Sequence, residues 1–227
     1  MKPPRDLAVT SRILVLTLAL VPLACAAGDD EVALLEHARE VHERVMTVDT
    51  HVDIPFTFAS GDDNPCQLTD RQVDIPKMRA GGLDVGFFIV YVGQTERTPE
   101  NYERAKEMAM QKFDGIHRMV NELCPDQIEL AYTADDVERI HASGKLVAAI
   151  GIENGYVIGK DLSLLRKYHE LGARYITLAH GGHNDIADSS TPRANLGDGD
   201  AEHGGVSEFG EEVIAEFRGR SRTLPRR

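Results

Sequence analysis

Four apolar runs, 45–48 leading into 49–53, then 83–92, 146–153 and 174–179, recur along this chain with helical patterns between them. Buried strands alternating with amphipathic helices on short connections leave few topologies open, and the natural one is right-handed βαβ units on a parallel sheet. The second and third runs are almost continuously apolar, as strands covered on both faces require. The first has the β-branched, apolar character of a short buried strand, with Pro55 and Gly61 as breakers after it. Helical periodicity is expected over 31–44, over 73–82 with a glycine stop, and from Pro99 to Cys124. It returns after the capping-box pattern at 133–136, over 162–171 behind Asp161, and over 207–217. A brief strand is expected at 128–132, and residues 181–206 read as a long polar loop of the kind that surrounds an active site.

The strand ends carry the chemistry. His51 and Asp53 stand two apart at the end of the first run, so the period of a strand puts both on one face, within reach of one cation. Imidazole nitrogen with carboxylate oxygen suits zinc and related divalent ions. Glu153 ends the third run and His180 follows the fourth. In parallel β/α architectures, and above all in barrels, function gathers at the C-terminal ends of strands. A glutamate there can bridge two ions ~3.5–4 Å apart, and a neighbouring histidine can donate to a developing oxyanion. The bland readings are a capping Asp beside a surface His, a Glu that caps the turn at Asn154-Gly155, and a packed His180. His183 and His203 read as solvated loop residues, and Asp49 as either a support behind the ligands or a core polar contact.

Lys2, Arg5 and Arg12 precede an apolar stretch at 13–21 that is too short for a comfortable membrane span, so residues 1–25 read as a secretory signal peptide. Two cleavage patterns overlap: Leu23-Ala24-Cys25 resembles the end of a bacterial lipobox, which would lipidate Cys25, and Ala24-Cys25-Ala26 suits an ordinary signal peptidase. Either places the mature part in a periplasm or at a membrane surface, where Cys66 and Cys124 could form a disulfide or remain apart. The first 25 residues carry three basic and one acidic side chain and residues 218–227 carry five arginines, so the formal charge of −12 becomes −19 for residues 26–217. A surface this acidic argues against a nucleic-acid partner.

Together 48–55, 74–82, 151–155 and 172–180 resemble the N-terminal half of the membrane (renal) dipeptidase family of zinc metallopeptidases. The resemblance implies a (β/α)8 TIM-type barrel and a two-zinc site that hydrolyses dipeptides. By it His51 and Asp53 bind the first zinc, Glu153 bridges both, and His180 contacts substrate and oxyanion. Asn154 and Tyr156 depart mildly from the family pattern. The family continues into further strands that supply two histidines for the second zinc and an arginine for the substrate carboxylate. Residues 26–217 are therefore expected to form about four principal β/α units of such a barrel, with only the first zinc subsite complete. Residues 218–227 read as a basic tail, from a frameshift or natural. Half a barrel exposes strand edges, which predicts aggregation or a homodimer. The expected activity is zinc-dependent dipeptide hydrolysis, and the alternative is an inactive fragment or single-metal module of the same lineage.

Overall fold

β2 (Val85–Tyr91) and β4 (Leu146–Glu153) lie side by side in parallel, paired from Val85↔Val147 to Tyr91↔Glu153. These are the two near-continuous apolar runs, and nearly every residue in both is buried. The structure, a computed structural model, describes the backbone of residues 29–221. The leader-like segment 1–25 with Cys25, and residues 222–227 of the basic tail, lie outside the described residues.

β1 (Val48–Asp53) pairs in parallel with the other edge of β2. β4 carries two further neighbours on one edge: β3 (Ile128–Leu130) against its first half and β5 (Ala173–Ile176) against its second. The principal strands thus follow chain order, β1-β2-β4-β5, all parallel. That succession is the opening of a β/α barrel.

Two expectations about strands need correction. β1 is not a buried strand: Val48 is 50% exposed and only Val52 is sealed, because β1 pairs with β2 alone among the described residues. β5 also ends early, at Ile176 rather than 179. The chain leaves the sheet at Thr177, whose hydroxyl accepts the Asn154 backbone N–H at 2.9 Å.

Helices cover the sheet. α2 (Ile75–Gly81) begins with Asp74 accepting the Lys77 N–H and stops at Gly82 in the left-handed region. α3 (Pro99–Arg118), capped by Thr98, buries Ala105, Ala109, Phe113 and Ile116 in the main core, and a π-helical turn at Met119–Leu123 prolongs it. α4 (Ala134–Ala142) has the capping box read in the sequence, from Thr133 and Asp136. α5 (Ser163–Glu170) brings Tyr168 onto Phe113 with ring centroids 5.2 Å apart; such pairs add about 0.5–1.5 kcal/mol beyond area burial. α6 (Glu208–Ser221) runs past Phe217, so the first residues of the basic tail continue the helix. Cys66 and Cys124 are joined as a disulfide, with Cα atoms 5.9 Å apart, which ties the loop after β1 to the end of the α3 extension.

By contact density the chain divides into residues 1–40 and 41–227. Residues 29–40 of helix α1 (Asp29–Arg44) are the described part of the first unit, and Val32, Leu34 and Leu35 there are exposed. Among the described residues no helix is long and apolar enough to cross a membrane.

Candidate metal centre

The β1–β2 register slips between Asp49 and Val52, where β1 holds one residue more than its partner. Such a bulge re-aims the side chains that follow it. Asp49 fixes this stretch by accepting the His51 backbone N–H at 2.9 Å. His51 and Asp53 then share a face, Nε2 to Oδ1 3.7 Å apart.

Glu153 arrives from the end of β4 and stands between two imidazoles. Its Oε2 is 3.2 Å from His51 Nε2, and its Oε1 is 3.2 Å from His180 Nε2. The Glu153 side chain is 15% exposed against 74% for Asp53, so the carboxylate at the hub is the enclosed one. Donor atoms of His51, Asp53 and Glu153 all lie within 4.8 Å of one another, the one such group of potential metal ligands among the described residues. One imidazole nitrogen with two carboxylate oxygens fits zinc, and the open side of the cleft leaves room for water or substrate. His180 stands outside this triad, on the other oxygen of Glu153.

His180 is not at a strand end, since β5 stops at Ile176 and the chain reaches His180 through a turn. Tyr91, at the end of β2, holds it: the rings meet edge to face with centroids 5.0 Å apart, and the hydroxyl lies 3.4 Å from Nδ1. These residues line an open cleft of about 870 Å³ together with Asp49, Arg71 and Lys112. Its size is that of a small-molecule site.

The turn after Glu153 is locked by Asn154, which is fully buried with φ 76°, in the left-handed region. Its amide donates to the Val92 carbonyl and to Gln94 Oε1, and its own oxygen accepts from the Tyr156 N–H and the Asn184 amide. Asparagine tolerates that conformation and bonds its own backbone two residues on, a signal the sequence carried. Behind the cleft, Tyr175 lies flat over Gly151, where a Cβ would come within 2.2 Å of its ring. Burial, with Glu153, Asp53 and Asp49 adding to it, pushes the Tyr175 phenol up to about 12, so it stays a donor. Burial pushes the Lys112 ammonium below its usual value, opposed by Asp53 and Glu153.

His183 is buried and His203 half-buried, contrary to the expectation of solvated residues in a polar loop. His183 is 1% exposed, with Nδ1 accepting the Ser189 N–H and Nε2 on the Gly199 carbonyl. His203 Nε2 is 2.9 Å from the Asn184 carbonyl oxygen. Both rings are used up in ordering residues 181–206. Asp188 does likewise: burial acts to raise its pKa, but backbone N–H groups of 202–205 outweigh this and hold it down at about 2.

A family model described as membrane dipeptidase, peptidase family M19, matches residues 35–219. Dipeptidase aclJ of Aspergillus oryzae is 39% identical over 192 residues, which is 78% of this chain and 43% of that protein. The crystal structure of the probable dipeptidase PvdM from Pseudomonas aeruginosa matches with a TM-score of 0.75 at 26% identity, covering 81% of this chain and 47% of that one. A metallopeptidase from Rhodobacter sphaeroides, solved with a phosphinate mimic of the dipeptide L-Ala-D-Ala, shares the fold at a TM-score of 0.52 and 21% identity over 66% of this chain and 49% of that one. The chain spans less than half the length of the curated relatives it matches. The parallel β/α sheet and the match over residues 35–219 agree: this chain belongs to the membrane dipeptidase family, peptidase family M19.

Proposed function

We propose that the cleft is the site of a zinc-dependent dipeptidase, with His51, Asp53 and Glu153 holding one zinc ion. The observation that carries this is the placement of Glu153, with one oxygen toward His51 and the other toward His180. A carboxylate so placed can serve the ion and the substrate-facing histidine together. Zinc in such a site supplies Lewis acidity that activates water and polarises a carbonyl.

The protein's own part falls to four side chains. The Tyr91 hydroxyl lies 3.4 Å from His180 Nδ1; in the tautomer where Tyr91 is the donor, the imidazole proton sits on Nε2, the nitrogen that faces Glu153 and the cleft. From there His180 donates to the oxygen on which charge develops as the peptide carbonyl is attacked. Glu153 holds that imidazole in place, and Asp49 fixes the backbone that carries His51. A dipeptide mimic bound by the Rhodobacter sphaeroides metallopeptidase supports a substrate of this class. We place the reaction outside the cytoplasm; the Cys66–Cys124 disulfide and the leader-like pattern of residues 1–25 support that placement.

Hydrolysis of a simple dipeptide by the purified chain tests this reading. Zinc-supported turnover should vanish on chelation and in Glu153→Gln, and His180→Ala should lower it by about 10²–10³. Turnover indifferent to chelator and to Glu153→Gln contradicts it. One observation favours a second reading, a single-metal module without turnover: one ligand group is found among the described residues, in a chain less than half as long as its relatives. A folded chain that binds zinc and leaves dipeptides intact would establish that alternative.

A further inference from the structure

Two permanent cations line the cleft, Arg71 and Lys112, and they are placed very differently. Arg71 already has its carboxylate, Asp63 at Nη1, and lies over the Phe58 ring. Lys112 has none. It projects from α3, its residue is 4% exposed, and it forms no hydrogen bond or salt bridge among the described residues. Its ammonium is held by ring faces alone, 4.8 Å from the centroid of Phe56 and 5.9 Å from that of Tyr91. Asp53 and Glu153 are near enough to act on its charge but do not reach ion-pairing distance. A lysine placed only to offset those acids would pair with them. A largely buried side chain whose ammonium faces the cleft without a counter-ion is costly to keep, and a ligand entering the cleft can supply the missing anion.

We propose that Lys112 anchors a second carboxylate on the substrate, so that this cleft selects dipeptides carrying an acidic side chain. The inference rests on the zinc-peptidase reading, because an ion on His51, Asp53 and Glu153 would neutralise the two acids whose charge acts on Lys112 and leave its charge to the ligand. The ring contacts make it specific. Phe56 and Tyr91 fix the ammonium without satisfying its N–H donors, so a carboxylate gains charge-assisted hydrogen bonds that a side-chain amide of the same shape makes more weakly.

The test is equilibrium binding to the zinc-loaded chain of paired phosphinate dipeptide mimics that differ only in a Glu or a Gln side chain, with the pair made at each of the two positions. Zinc stoichiometry is measured on the same samples. At one position the Glu mimic should bind about tenfold tighter. Lys112→Met should bring that ratio below threefold, while Lys112→Arg keeps it above. Lys112→Met fills the same space without charge and should bind zinc at least as tightly as the wild type, which separates a lost anchor from a lost fold. Should that variant not fold, the wild-type ratio and Lys112→Arg decide the matter. A ratio below threefold at both positions in zinc-loaded wild type overturns the proposal, as does a preference that survives Lys112→Met. Absence of bound zinc overturns the dipeptidase reading and this inference with it. Bound zinc without the preference overturns this inference alone.

Discussion

The Tyr175 hydroxyl donates a hydrogen bond of 2.7 Å to the carbonyl oxygen of Thr50, joining β5 to the residue just before His51. The ring lies against Gly151, two residues ahead of Glu153, so one side chain braces both β1 and β4. Tyr175→Phe removes one hydrogen bond and should cost about 1 kcal/mol. Gly151→Ala drives a methyl into the ring and should cost about 1–3 kcal/mol, with weaker zinc binding than Tyr175→Phe. Denaturant midpoints and zinc titrations on both variants check the order; an unperturbed Gly151→Ala would contradict the bracing role.

Asn154 closes the turn behind Glu153 with four side-chain hydrogen bonds, in a left-handed backbone conformation and wholly buried. Asn154→Gly keeps the backbone at ease and removes the network; Asn154→Ala loses both. Each should destabilise, by about 1–3 kcal/mol for the unpaired partners left behind, with Ala the worse of the two. Thermal unfolding should rank them wild type, Gly, Ala, and the reverse order of the two variants would refute the backbone part of the argument.

Cys66 and Cys124 lie 58 residues apart in sequence, and their bond pins the loop that follows β1. Replacing both by serine should cost about 2–4 kcal/mol, chiefly by loosening the unfolded chain's constraint. Mass spectrometry without reductant should find the bond, and two free thiols in protein purified from an oxidising compartment would contradict it.

The loop 181–206 should loosen in acid. Asp188 is held at about 2 in the folded chain against an ordinary 3.8. A depressed folded pKa means that its contribution is fully present above about pH 4 and is lost as pH falls through about 2. Amide hydrogen exchange at 202–205 should therefore report opening in that window, once corrected for the intrinsic pH dependence of exchange. In Asp188→Asn those amides should be open already near neutral pH. Protection unchanged in the variant would rule out the mechanism.

The parts of this fold that were legible in the sequence are those encoded locally. β2 and β4 announced themselves by unbroken apolarity, and His51, Asp53 and Glu153 by their positions at strand ends. His180 was recognised but misplaced, because what ends β5 is the Thr177 hydroxyl engaged by Asn154, a contact across 23 residues that no local pattern carries. Nothing local singles out Tyr175 within its strand or Lys112 within its helix; both take their contacts from residues far away in the chain. His183 looked solvated because polar loops usually are, whereas the backbone groups of Ser189 and Gly199 bury it.

The account stands on Glu153 as the hub of a zinc site, and the most direct measurement is zinc titration by calorimetry of the metal-free chain beside Glu153→Gln. The wild type should bind one zinc tightly and Glu153→Gln at least about tenfold more weakly, with unchanged circular dichroism. Equal zinc affinity in the two proteins, or no zinc bound by the folded wild type, would contradict it.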